Sequence, residues 1–161
     1  PTYNNGTHTL NLSGFATLQG GGDGDTFQVT SNSSFHLKGG AGDDTFNILV
    51  AVTSGDLRGG ADNDTLVAFD DTNTWNISAN DPNQLNSIDF REFENLTGGS
   101  LVDTFNFARS VNGTVLGGGG NDAFNINAAG LSATLDGQTG TADVISGFDE
   151  SSIWVKVSKM L

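Results

Sequence analysis

The sequence predicts an all-β fold, a parallel β-helix or β-solenoid of 19- or 20-residue coils, and three observations predict it. A glycine-aspartate block recurs at that spacing. Short runs on either side of it alternate apolar with polar residues. Equivalent residues recur in the same chain direction, which excludes hairpins and requires parallel stacking. A right-handed wind is the default for parallel crossovers, although solenoids of both hands exist.

The block reads GGGDGDTFQ at Gly20 to Gln28, GGAGDDTFN at Gly39 to Asn47 and GGADNDTLV at Gly59 to Val67. It returns as GGSLVDTFN at Gly98 to Asn106 and GGGGNDAFN at Gly117 to Asn125, with a degenerate copy from Asp136 through Asp143. After each corner a strand starts, with Phe27 and Val29 on one side and Thr26 and Gln28 on the other. An approach strand precedes each corner and ends at Leu18, Leu37, Leu57, Leu96, Val115 or Leu135. With coils about 4.8 Å apart, Phe27, Phe46, Leu66, Phe105 and Phe124 are expected to form one internal column. Gln28, Asn47, Asn106 and Asn125 are expected outside, where stacked amides bond along the axis.

A longer period of 78 residues encloses the short one, carrying Leu10, Leu12, Phe15, Leu18, Phe27 and Phe46 onto Ile88, Phe90, Phe93, Leu96, Phe105 and Phe124. Phe69 to Trp75 is echoed by Phe148 to Trp154. The chain thus reads as one solenoid segment, residues 1–161, holding nearly two four-coil units and excised from a longer array. The unit boundary lies near residues 70–92. There TWNIS and NSIDF are strands separated by the turn-rich ANDPNQL, and Trp75 is either an apolar cover or a ligand platform.

Nineteen acidic against six basic residues give a net charge of −13. That balance excludes phosphate-driven nucleic-acid binding and makes cations the natural partners. No apolar run reaches membrane-spanning length, so membrane insertion is not expected. The chain has no cysteine, hence no disulfide and no thiolate chemistry. Lys38, Arg58, Arg91, Arg109, Lys156, Lys159, His8 and His36 form no recurring partnership with an acidic pair, and Asp70 and Asp71 are echoed by Asp149 and Glu150 as a structural turn would be. No catalytic site is therefore expected. Thr26, Thr45, Thr65 and Thr104 are expected to line up outward as a hydroxyl-bearing strand surface.

GGAGDDTFN resembles the G-G-x-G-x-D-x-U-x nonapeptide of calcium-binding RTX repeats, matched throughout only at Gly39 to Asn47 and Gly117 to Asn125. The longer pattern FENLTGGSLVDTFNF, with its preceding Trp segment, resembles the arrays of giant bacterial exoproteins and adhesins related to filamentous haemagglutinin. The first resemblance implies Asp25, Asp44, Asp64, Asp103 and Asp122 as Ca²⁺ ligands, with corner carbonyls completing the oxygen shell. The other reading of the same residues is a cap, each Asp turning onto corner N–H groups. The second resemblance implies a structural or adhesive segment of a secreted or cell-surface bacterial protein. Its partners would be adjacent repeats of the same polypeptide and a host receptor or glycan that the sequence does not name. A calcium-responsive module and, more distantly, a polysaccharide-active β-helix enzyme are the alternatives.

Overall fold

The computed structural model describes residues 17–32, 34–147 and 156–157. Leu10, Leu12 and Phe15 of the long repeat, the Phe148 to Trp154 echo with Asp149 and Glu150, and His8 and Lys159 lie outside them. The chain runs through β1 (Thr17–Gln19), β2 (Thr26–Val29), β3 (Phe35–Ala41), β4 (Thr45–Ile48), β5 (Gly55–Ala61) and β6 (Thr65–Val67). The insert supplies β7 (Thr74–Ile77), β8 (Asn83–Leu85) and β9 (Ile88–Arg91). Then come β10 (Asn95–Thr97), β11 (Thr104–Phe107), β12 (Thr114–Leu116), β13 (Ala123–Ile126), β14 (Thr134–Asp136), β15 (Val144–Ser146) and β16 (Lys156–Val157).

These strands form a β-solenoid of about six turns at about 20-residue spacing. The chain alternates between two sheets. Among the described residues the first holds nine strands in the order β1-β3-β5-β9-β8-β7-β11-β13-β15, and the second holds seven in the order β16-β14-β12-β10-β6-β4-β2. Pairing is parallel except on both sides of β8. Alternation then places every second side chain between the sheets, where Phe46, Leu57, Leu66, Trp75, Phe105 and Val115 are fully buried. Aromatic rings stack along the axis, Phe27 on Phe46 at 4.5 Å, Trp75 on Phe105 at 5.4 Å and Phe105 on Phe124 at 5.0 Å. Such pairs contribute about 0.5–1.5 kcal/mol each beyond their buried area.

The insert changes the phase of the winding. β6 leaves the second sheet, and β7, β8 and β9 are then all laid into the first. β9 pairs with β5, while β10 settles on β6 with Leu96 beside Leu66. From there onward the approach strands β10, β12 and β14 occupy the second sheet, and the post-corner strands β11 and β13 occupy the first. The second unit is therefore turned by half a coil against the first.

This half-turn corrects three expectations. Phe27, Phe46 and Leu66 continue into Leu96, Val115 and Leu135, not into Phe105 and Phe124, which stack on Trp75. Thr26, Thr45 and Thr65 lie in the second sheet, whereas Thr104 pairs with Thr74 in the first. The outer amides divide likewise: Gln28 lies beside Asn47 on one sheet. On the other, Asn125 Nδ2 donates to Asn106 Oδ1 at 2.9 Å and Asn106 Nδ2 donates to Asn76 Oδ1 at 3.0 Å. Trp75 is fully buried and edge-on to Phe90, which makes it core and sets aside the ligand-platform reading.

Candidate functional site: the corner carboxylates

Each glycine-rich corner turns the chain from one sheet into the other, and its Asp sits just before the next strand. Because of the half-turn, the five predicted ligands fall into two rows. Asp25, Asp44 and Asp64 lie on connections from the first sheet to the second, and Asp103 and Asp122 on connections from the second sheet to the first. The rows therefore occupy opposite edges of the solenoid.

Within a row, each aspartate holds the coil before it. The amide of Asp25 donates to Asp44 Oδ1 at 2.7 Å, and that of Asp44 to Asp64 Oδ1 at 2.8 Å. Glu94 ends this row, its Oε2 accepting the amide of Asp64 at 2.9 Å. On the other edge the amide of Asn73 donates to Asp103 Oδ1 at 2.8 Å, that of Asp103 to Asp122 Oδ1 at 2.8 Å, and that of Asp122 to Asp143 Oδ1 at 2.9 Å. The expected cap thus exists but reaches across coils. Only Asp25 and Asp103 also accept from their own corners, through Oδ2 from the amides of Gly21 at 2.8 Å and Gly99 at 2.6 Å. Asn73, Glu94 and Asp143 belong to the rows without having been predicted as site residues.

The second oxygen divides the corners into two kinds. Oδ2 of Asp44, Asp64 and Asp122 is buried with no hydrogen-bond partner. In these three corners the second glycine of the pair, Gly40, Gly60 or Gly118, has a positive φ of 126°, 128° or 100°. Gly21 and Gly99, which do donate to their aspartates, do not share that conformation. The positive φ therefore accompanies loss of the amide donor, and it leaves a carboxylate oxygen free inside the fold.

Burial dominates the titration of these carboxyls. It pushes Asp64 and Asp122 up to about 6 from 3.8, against the pull of the Asp44 and Asp103 amides. Neighbouring carboxylates add to the rise. Asp44 and Asp103 move in the same direction, again chiefly through burial. A free oxygen on a carboxyl with a raised pKa suits the protonated form, which donates a hydrogen bond where the ionised form cannot.

The first glycine of each pair marks where that oxygen points. A Cβ on Gly39 would collide with both Asp44 Oδ2 and the carbonyl of Gly59 one coil on, and Gly98 and Gly117 meet the corresponding pairs in their own corners. Two oxygens thus flank one point per coil, where a Ca²⁺ ion takes six to eight. Among the described residues no group of three or more His, Asp or Glu side chains gathers to hold a metal. As placed, the predicted ligands form a ladder of amide acceptors along each edge.

A cleft of about 230 Å³ lies beside the insert, lined by Asp81, Asn83, Glu92 and Glu94 over Phe90 and Leu96, with Arg109 at its side. Arg109 Nη2 donates to Asp81 Oδ1 at 2.8 Å, and Glu94 is committed to the corner row, so two of its three carboxylates already have structural partners. No protein-family model matches the chain, and searches of curated proteins and of solved structures returned no match.

Proposed function

We propose that this chain is a structural segment of a larger secreted or surface-displayed bacterial protein, a stack whose coils template one another and carry adhesive regions away from their anchor. The carrying observation is the carboxylate-to-amide ladder: on each edge the corner aspartates are spent on the neighbouring coil. A chain built this way gains stability with each added coil, since every coil supplies acceptors to the one before.

The test joins copies end to end. Two- and three-unit arrays are expected to give small-angle scattering profiles of a rod that lengthens in proportion to copy number, with one cooperative melt at rising temperature. Copies that tumble and melt independently would overturn the reading. Adhesion is a separate arm, read as retention of cells or glycans on beads bearing the chain above that on beads bearing an unrelated solenoid.

A calcium-responsive module is the second reading, supported by the three free Oδ2 atoms. Calcium would then raise the melting temperature and a chelator lower it, because an ion bound only to the folded form shifts the equilibrium. A melt indifferent to both leaves the structural reading alone.

A further inference from the structure

The outer face of the first sheet carries three basic side chains in register. Lys38 on β3 lies beside Arg58 on β5, and Arg58 lies beside Arg91 on β9. Like charges directly opposite one another on a sheet are unfavourable. Asp56 relieves part of this, accepting from Arg91 Nη2 at 2.9 Å and lying 3.6 Å from Arg58 Nε. Lys38 has no carboxylate partner among the described residues. Half of the six basic residues in a chain of net charge −13 are thus gathered on three successive strands.

The corners next to this face carry the opposite sign at the same repeat. Asp23, Asp43 and Asp62 are exposed, one per coil. Two of them are already fixed by accepted hydrogen bonds, Asp62 Oδ2 from the amide of Gly42 at 3.1 Å and Asp43 Oδ1 from that of Asn63 at 3.0 Å. Their charges remain at the surface. On the same edge the acidic row continues to the exposed Glu92; beyond the insert that edge is formed by residues 108–113 and 127–133, which hold Arg109 and no carboxylate, and β11 and β13 present no lysine or arginine.

We propose that these two rows are the halves of a side-by-side interface between two copies of this chain, the basic row of one set against the acidic row of the other. Both rows repeat once per coil of the same solenoid, so their spacing matches along the whole contact when the copies run parallel. An extended peptide presents same-face side chains about every 6.8 Å, twice the strand rise, and cannot keep that register. If each copy offers both rows, a twofold axis along the solenoid satisfies both at once in a closed, isologous pair. The net negative charge opposes long-range approach, whereas ion pairs at contact survive moderate screening. Association should therefore be strongest near physiological salt and be lost near 1 M, where screening reaches about 3 Å.

Sedimentation velocity of the full chain across concentration and salt tests this, with two charge-reversed variants. Lys38→Glu with Arg58→Glu, and Asp23→Lys with Asp43→Lys, are each expected to sediment as monomers, while their equimolar mixture regains the wild-type dimer. Asp43→Asn with Asp62→Asn keeps the amide acceptors and removes only charge, so it serves if the lysine variant misfolds; it should weaken the dimer at least tenfold. Wild type that stays monomeric at every salt concentration overturns the proposal, as do reversed variants that pair as well as wild type. A monomer that instead binds a sulfated polysaccharide through Lys38 and Arg58 overturns it in favour of a polyanion.

Discussion

Gly39 shows how tightly a single residue is specified. A methyl group there would enter the space held by Asp44 Oδ2 and the Gly59 carbonyl. Gly39→Ala is expected to cost about 2 kcal/mol or more through backbone displacement, read as a lower denaturation midpoint with the slope unchanged. Asp122 makes the complementary case. Its folded-state pKa is raised, so between 3.8 and about 6 the folded protein binds a proton that the unfolded chain has released. Its stabilising contribution is therefore full below the unfolded value and is lost as pH rises through about 6. A shift of that size is about 3 kcal/mol. Asp122→Asn keeps an acceptor for the Asp103 amide and puts a donor where Oδ2 is free. It should raise the melting temperature at neutral pH and flatten its dependence on acid. Asp122→Ala, which leaves that buried amide unpaired, should cost about 1–3 kcal/mol. The sequence marked these aspartates because they recur with the glycines, but not their partners: an acceptor reaching 19 to 21 positions along the chain leaves no local pattern.

The elements most visible in the sequence were the regular coils, where alternation and the corner block agree, and the structure keeps both. The insert was legible as a departure and not as a half-turn. A signal for the half-turn was present: Thr74, Trp75, Asn76 and Ile77 repeat the pattern of Thr104, Phe105, Asn106 and Phe107, with Asn73 where Asp103 stands. The long repeat obscured it by matching Trp75 to Trp154, one residue beyond the 78-residue offset. Physically, an antiparallel β8 lets the chain double back and rejoin the stack on either sheet, and residue spacing alone does not choose between them. Trp75 closes this seam against Leu85 and Phe105. Trp75→Ala is expected to cost about 3–5 kcal/mol, and hydrogen exchange should show protection lost first in β7, β8 and β9. If exchange instead rose evenly along the stack, the seam would not be an independent weak point.

Taken whole, the molecule is a thin core repeated along one axis, so a fault in one coil is felt by its neighbours. Phe46 lies fully buried between Phe27 and Leu66. Phe46→Asp buries an unpaired charge and should abolish cooperative melting, while Gln28→Asp on the outer face should change stability by no more than about 0.5 kcal/mol.

The nine-to-seven strand count among the described residues carries a mechanical corollary. Two additional strands on one wall, each about 4.8 Å wide, make that wall longer than its opposite, and a tower with unequal walls is expected to lean. The same seam moves the next unit's corners to the other edge, so a second seam of this kind would lengthen the other wall. If copies of this unit were joined with such a seam in each, successive leans would oppose one another: the column would undulate with a period of two units, and its acidic edges would face alternately left and right.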